Sequence, residues 1–340
     1  MIRFSNEKLN QIFLSWIITL ILLIILMIIV GGLTRLTDSG LSITQWQLFS
    51  GILPPLTQAD WIYYFNLYKE IPEYKLQNFS MTMNDFKIIF WWEWAHRFLG
   101  RIIGLVALLP LIYFSIKIGI KKLFDLYLVF FLICFQGFIG WYMVSSGLVD
   151  RVDVSHYRLS VHLLIAFVIL SCLVWSFLNL KNNLNKNFFL NKTDTISTKI
   201  LIFLAFLQII LGAFVSGLDA GKIYQTWPLM NNSYFPNDVN IKDYKEFFNF
   251  NDRSVVQFIH RNVAYVIFFL TIYIGYFIKK TSKIYLYKAY LYLLVFILLQ
   301  IFLGILALIT DLNIIVASMH QISSIILIIL TINFYYKSIN

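Results

Sequence analysis

The 340-residue chain is poor in charge, in cysteine and in proline: 13% of its residues are charged, and it has two cysteines and six prolines. Soluble domains carry about 25% charged residues, so this composition excludes an ordinary water-soluble fold. Both cysteines, Cys134 and Cys172, fall inside apolar runs, and the loop stretches 33–87 and 218–254 contain none. Neither cysteine therefore sits in a loop where an outer-face disulfide would form. No Arg- and Ser-rich, acid-poor leader precedes the first apolar run and no small-residue cleavage site follows it, so that run is expected to stay as a span.

What is present is apolar and basic. Hydrophobic residues make up 59% of the chain, and the formal net charge is +10. A bilayer span needs about 20 apolar residues, and eight runs qualify: 12–32, 88–114, 123–145, 157–179, 199–217, 255–278, 285–309 and 313–336. The lysines gather in alternate connections: Lys117, Lys121 and Lys122; Lys181, Lys186, Lys192 and Lys199; Lys279, Lys280, Lys283 and Lys288. Arg3 and Lys8 precede the first span and Lys337 follows the last. This is the positive-inside bias, which puts both termini in the cytoplasm, gives the basic charge to the membrane surface and leaves no nucleic-acid partner. The long stretches 33–87 and 218–254 fall on the opposite, outer side.

The halves repeat. Gly32-Leu33-Thr34-Arg35-Leu36-Thr37-Asp38 ends the first span and Gly212-Ala213-Phe214-Val215-Ser216-Gly217-Leu218-Asp219 the fifth, with Trp46 and Trp227 eight residues beyond each aspartate. Gln136 and Gly140 in the third span answer Gln300 and Gly304 in the seventh, 164 residues on. The sequence therefore predicts an all-α integral membrane protein of eight transmembrane helices. They form two tandem-repeated four-helix bundles, 1–180 and 181–340, related by a pseudo-twofold along the membrane normal.

Ionisable groups inside such spans are costly and mark function. Of five histidines, His96, His162, His260 and His320 each lie one to two turns inside the outer end of an even-numbered span, roughly 8–14 Å below the boundary at about 1.5 Å per residue. Two per half at one depth suit an iron held from both faces. Zinc fits less well, because neither cysteine nor a second carboxylate accompanies them. His156 has no counterpart in the second half and reads as an interfacial residue. Arg97 and Arg261 follow their histidines, where a guanidinium fork suits a haem propionate or snorkels to lipid headgroups. Glu93 precedes His96 by three residues, on nearly the same helix face; the position three before His260 is Gln257, which cannot ionise. One half thus has a titratable group beside its histidine pair and the other a neutral substitute. Asp38 and Asp219 read as turn residues, and Gln136 and Gln300 as interhelical hydrogen-bonders.

Several motifs taken together resemble the haem A synthase family: Gly31-Gly32-Leu33-Thr34-Arg35-Leu36-Thr37 with Ser39-Gly40-Leu41-Ser42, Glu93-Trp94-Ala95-His96-Arg97, Tyr157-Arg158-Leu159 before His162, Phe258-Ile259-His260-Arg261, and Met319-His320-Gln321. The resemblance covers nearly the whole chain. It implies an oxidoreductase that converts the C8 methyl of haem O to a formyl group by successive hydroxylations, making haem A for cytochrome oxidase. It implies that the N-terminal bundle takes the haem O substrate between His96 and His162, with Glu93 as the catalytic carboxylate. The C-terminal bundle would hold a haem b cofactor between His260 and His320. The chain lacks the loop cysteine pair that some members carry and resembles the cysteine-free branch. The alternative reading is a transmembrane bis-histidine b-type cytochrome acting only in electron transfer. A bacterial inner membrane with the haem sites toward the outer face is expected. Haem O synthase and cytochrome oxidase assembly factors are the partners the resemblance implies, and the sequence admits a homo-oligomer.

Overall fold

The structure, a computed structural model, describes residues 7–46, 50–149, 151–189, 195–240 and 244–339. Arg3 and Lys192, counted above among the basic residues, lie outside them. Among the described residues the regular structure is helical, apart from one isolated bridge between Met230 and Ser233. Eight of the helices are long and apolar enough to cross a membrane. They are α1 (Glu7–Leu36), α4 (Met83–Ile118), α5 (Phe124–Val144), α6 (His156–Lys181), α7 (Ile196–Gly217), α9 (Arg253–Lys280), α10 (Tyr287–Ile309) and α11 (Ile314–Ser338). Three short helices, α2 (Gln58–Lys69), α3 (Pro72–Leu76) and α8 (Tyr244–Phe247), lie in the two long connections. Every expected span coincides with one long helix, and the largest difference is at the starts of α1 and α4.

Local chemistry sets those starts. Thr57 and Thr82 each close a capping box, with Asp60 and Asp85 returning the bond to the cap backbone. Asp252 accepts from the backbone of Ser254 and Val255 at the head of α9, and Asn313 does the same for Ile315 and Val316 at α11. With 36 residues α4 is about 54 Å long, well beyond a hydrocarbon core of about 30 Å. Its first turns therefore continue into the loop layer with α2 and α3.

The chain forms two compact units, Thr19–Ile169 and the combination of Met1–Ile18 with Leu170–Asn340. In the first, α4 packs on α5, and an aromatic layer covers the loop end of α4: Trp61, Phe65 and Tyr68 of α2 against Phe86 and Phe90, with Val154 and Leu41. In the second, α10 runs along α11 and α7 along α9, with a core from Leu201, Ile267, Ile274, Leu293, Ile297 and Phe334. Lys186 Nζ reaches the last carbonyls of α11, Tyr336 O at 2.9 Å and Ile339 O at 2.5 Å, as a cation at a helix C-terminus should. Asp38 and Asp219 are both left-handed, with φ of 48° and 51°, in the turns that end α1 and α7. Aspartate tolerates that conformation better than most non-glycine residues.

Candidate functional site

In the unit Thr19–Ile169, α4 brings His96 and α6 brings His162 to face each other, ring centres 6.4 Å apart and planes at 77°. Two imidazoles on opposite faces of one iron, with metal–nitrogen distances of about 2.0 Å, place their ring centres roughly 6.3 Å apart. The separation of the two ring centres is close to that figure. Each ring also lies against a glycine of a neighbouring helix. A Cβ on Gly31 of α1 would stand 3.1 Å from His96 Nε2, and one on Gly140 of α5 would stand 3.0 Å from His162 Cε1. The buried Nδ1 of His162 has no hydrogen-bond partner among the described residues. Gln136 of α5 fixes the backbone beneath this histidine, its Nε2 donating to His162 O at 2.8 Å. Arg158 ties the start of α6 to the end of α5, donating to Tyr142 O at 2.6 Å and lying over the Tyr142 ring.

The other unit repeats these devices with different detail. Gly212 of α7 faces His260, and Gly304 of α10 faces His320; added Cβ atoms would meet the two Cε1 atoms at 3.4 and 2.9 Å. Gln300 Nε2 donates to His320 O at 3.0 Å, and Ser323 Oγ donates to Gln300 Oε1. Gln208 of α7 donates to His260 O at 3.0 Å and lies 3.3 Å from its Nε2. His320 Nδ1 has the backbone acceptor expected of an oriented ligand, Gln300 O at 3.1 Å, whereas His260 Nδ1 is buried without one among the described residues. Gln136 and Gln300 thus join helices. Gln208, which composition gave no reason to single out, does the same. Among the described residues no group of three or more His, Cys, Asp and Glu side chains converges into a metal cage.

Glu93 is 2% exposed and surrounded by donors. Ser42 Oγ donates to its Oε2 at 2.7 Å and Ile43 N at 2.8 Å, while Arg97, one turn along α4, forms an ion pair with Oε1. Arg97 in turn donates to Ile43 O at 2.8 Å and stands 5.8 Å from the centre of the Trp46 ring. A buried carboxylate is tolerable only with such partners, and the loop 39–46 is folded around this one. Ser42 and the Ile43 amide were not legible as partners, because they are 50 residues away in sequence. Arg97 is a guanidinium that pairs with Glu93.

At the corresponding place Gln257, 3% exposed, donates to Tyr224 O at 2.9 Å. Arg261 donates to the same carbonyl at 2.8 Å and to Thr226 O at 2.9 Å. Both arginines therefore anchor a loop to a histidine-bearing helix. His156 opens α6 and is buried, 1% exposed, with its ring centre 4.1 Å from that of Tyr157.

Fold and site together define an all-helical, multi-pass integral membrane protein that carries a pair of intramembrane histidines in each unit. The family model described as cytochrome oxidase assembly protein matches residues 14–332. The chain is 49% identical over 327 residues to the heme A synthase of Pelagibacter ubique (strain HTCC1062), covering 96% of both chains. It is 42% identical over 324 residues to that of Rickettsia bellii (strain RML369-C), covering 92% of this chain and 94% of the relative. With that of Flavobacterium psychrophilum it shares 39% over 331 residues, 95% and 97% of the two chains. The chain belongs to the haem A synthase family.

Proposed function

We propose that the chain oxidises the C8 methyl of haem O to the formyl group of haem A. The unit containing His96, His162 and Glu93 receives the substrate, and the unit containing His260 and His320 holds a resident haem b. Both termini lie in the cytoplasm and the histidine pairs toward the outer face of a bacterial inner membrane. Haem O synthase and cytochrome oxidase assembly factors are the partner classes this reaction implies. A bound haem b supplies one-electron redox chemistry. The spacing of His96 and His162, the glycine beside each imidazole and the unpartnered Nδ1 atoms of His162 and His260 support the fit of a haem.

The rest is the work of the chain's own groups. His96 and His162 orient the substrate macrocycle, and Gly31 and Gly140 leave room beside their rings. Glu93 lies one helical turn from His96 and takes up protons lost as the methyl is oxidised. Ser42, Ile43 N and Arg97 hold its oxygens in place and provide the opposite charge. Arg97 and Arg261, at the loop ends of their helices, are the candidate partners of the haem propionates.

The observation that carries this division of labour is the exchange of Glu93 for Gln257 within otherwise matching surroundings: both side chains are buried, and both neighbour an arginine that binds a loop carbonyl. A neutral amide cannot take up a proton, so only the Glu93 unit is equipped for proton chemistry. Pigment extraction from the purified protein supplied with haem O tests it. Wild type is expected to yield haem B with haem A or its hydroxylated precursor, and Glu93→Ala to accumulate haem O or an intermediate. Two haem B per chain in both proteins would sink the assignment in favour of an electron shuttle.

A further inference from the structure

The two units share their histidines and the glycines beside them, but not the polar bonds that tie the histidine helices to their neighbours. In the unit with His260 and His320, both helices are tied at the histidine itself. Gln208, one turn before Gly212 on α7, donates from Nε2 to His260 O at 3.0 Å, and Gln300 of α10 donates to His320 O at 3.0 Å. Ser323, three residues after His320, bonds to Gln300 Oε1 and lies 3.0 Å from His320 O, so the amide of Gln300 is held at both ends. The unit Thr19–Ile169 has a different residue at each of two matching places. Met27 stands one turn before Gly31, where Gln208 stands before Gly212, and Ile165 stands three residues after His162, where Ser323 stands after His320. A thioether and an alkyl chain have no hydrogen to donate. His96 therefore lacks the bond that Gln208 gives to His260, and Met27 lies instead toward α4 with its Cε 3.4 Å from the place of a Cβ on Gly100. Gln136 still donates to His162 O at 2.8 Å, but its buried Oε1 has no partner among the described residues. Two changes on separate helices thus remove polar ties from the same pair of histidines.

We propose that this difference sets how readily each unit lets go of its haem: Gln208 and Ser323 are positioning residues that keep the cofactor resident, and Met27 and Ile165 leave the His96–His162 pair loose enough to admit substrate and release product. Inside a bilayer an amide-to-carbonyl bond between helices has no water to exchange with, so it holds the two helices in register. A histidine tied at its own carbonyl has to break that bond before its helix can draw the ring back from a metal. Methionine, flexible and without a donor, lets the neighbouring helix shift at little cost. One unit is thus built to hold and the other to exchange, on the same frame of glycines and histidines. The proposal rests on the reading of the His96–His162 pair as the substrate site and the His260–His320 pair as the cofactor site.

The test follows loss of haem from the full chain, purified with its pigments into lipid nanodiscs, to excess apomyoglobin, each released pigment being identified by extraction. Turnover does not enter this readout. Wild type is expected to give up haem O or haem A quickly and haem B slowly. Gln208→Met and Ser323→Ile should each speed the loss of haem B roughly threefold, the effect of one interhelical hydrogen bond in a bilayer, and together roughly tenfold. Met27→Gln with Ile165→Ser should slow the loss of haem O or haem A by a similar factor, a gain of retention that mere damage to a helix does not produce. Met27→Leu, which changes packing and adds no donor, should leave that rate where it is. The proposal is overturned by a haem B rate that Gln208→Met with Ser323→Ile leaves unmoved. It is equally overturned if Met27→Leu slows release as much as Met27→Gln. Should the cofactor-unit variants fail to fold, retention in Met27→Gln with Ile165→Ser decides. Equally slow loss of both haems from wild type removes the reading of a substrate site and the proposal with it. A wild-type difference that none of the substitutions moves removes the proposal alone.

Discussion

Glu93 shows at the scale of one residue why the histidine-bearing helix needs its loop. Its carboxylate is enclosed, and Ser42, Ile43 N and Arg97 are all supplied by sequence around it or 50 residues before it. Removing one partner of a buried ion pair leaves an uncompensated charge and costs about 3–5 kcal/mol, whereas removing both charges costs far less. Arg97→Leu is therefore expected to lower thermal stability strongly in detergent, and Arg97→Leu with Glu93→Gln to regain most of it. A double variant as unstable as the single one would mean that Arg97 acts through its bond to Ile43 O and not through the charge. The sequence showed Glu93 and Arg97 as intramembrane charges one turn apart. It did not show the serine and the amide that make the carboxylate tolerable, because a long-range partner leaves no periodic trace.

At the scale of helices, close approach is what holds each imidazole. Without a hydrophobic drive between spans in lipid, small residues and interhelical hydrogen bonds set the packing. Here four glycines and three glutamines do so around four histidines. Gly140→Ala and Gly304→Ala place a methyl at 3.0 and 2.9 Å from the Cε1 of His162 and His320. The ring is the movable end of its side chain, so the expected result is a folded protein with a displaced imidazole and a lowered haem-to-protein ratio on pigment extraction. Gly212→Ala, with 3.4 Å to His260, is expected to keep its haem. Equal haem loss in all three would point to helix packing in general. The spans themselves were legible because about 20 consecutive apolar residues have few other uses. Their ends were less so, since Thr82 and its capping box extend α4 beyond the apolar run into the loop layer.

For the whole molecule, the loop layer gives stability its own pH dependence. Glu73 has its folded-state pKa pushed up to about 8 from an ordinary 4.5, chiefly by burial. A carboxyl whose pKa is raised on folding binds its proton more tightly in the native state. Its contribution to stability thus declines as pH rises from about 4.5 and is lost through about 8. The melting temperature of wild type should fall between about pH 5 and pH 9, and Glu73→Gln should flatten that slope. An unchanged slope would show that Glu73 ionises freely in the folded protein.

The amino-acid sequence by itself determined the membrane class, the eight spans, the four histidines and the Glu93–Gln257 contrast. Each of these follows from local composition and from spacing along one helix, which a linear chain records directly. Only the tertiary structure decided that His96 and His162 stand 6.4 Å apart, that a glycine faces each imidazole, and that Ser42 and Ile43 enclose Glu93. It also decided that Glu73, one acid among several in a polar connection, is buried. Those facts depend on which distant segments meet, and that is set by packing across helices and loops, where no periodicity along the chain reports it.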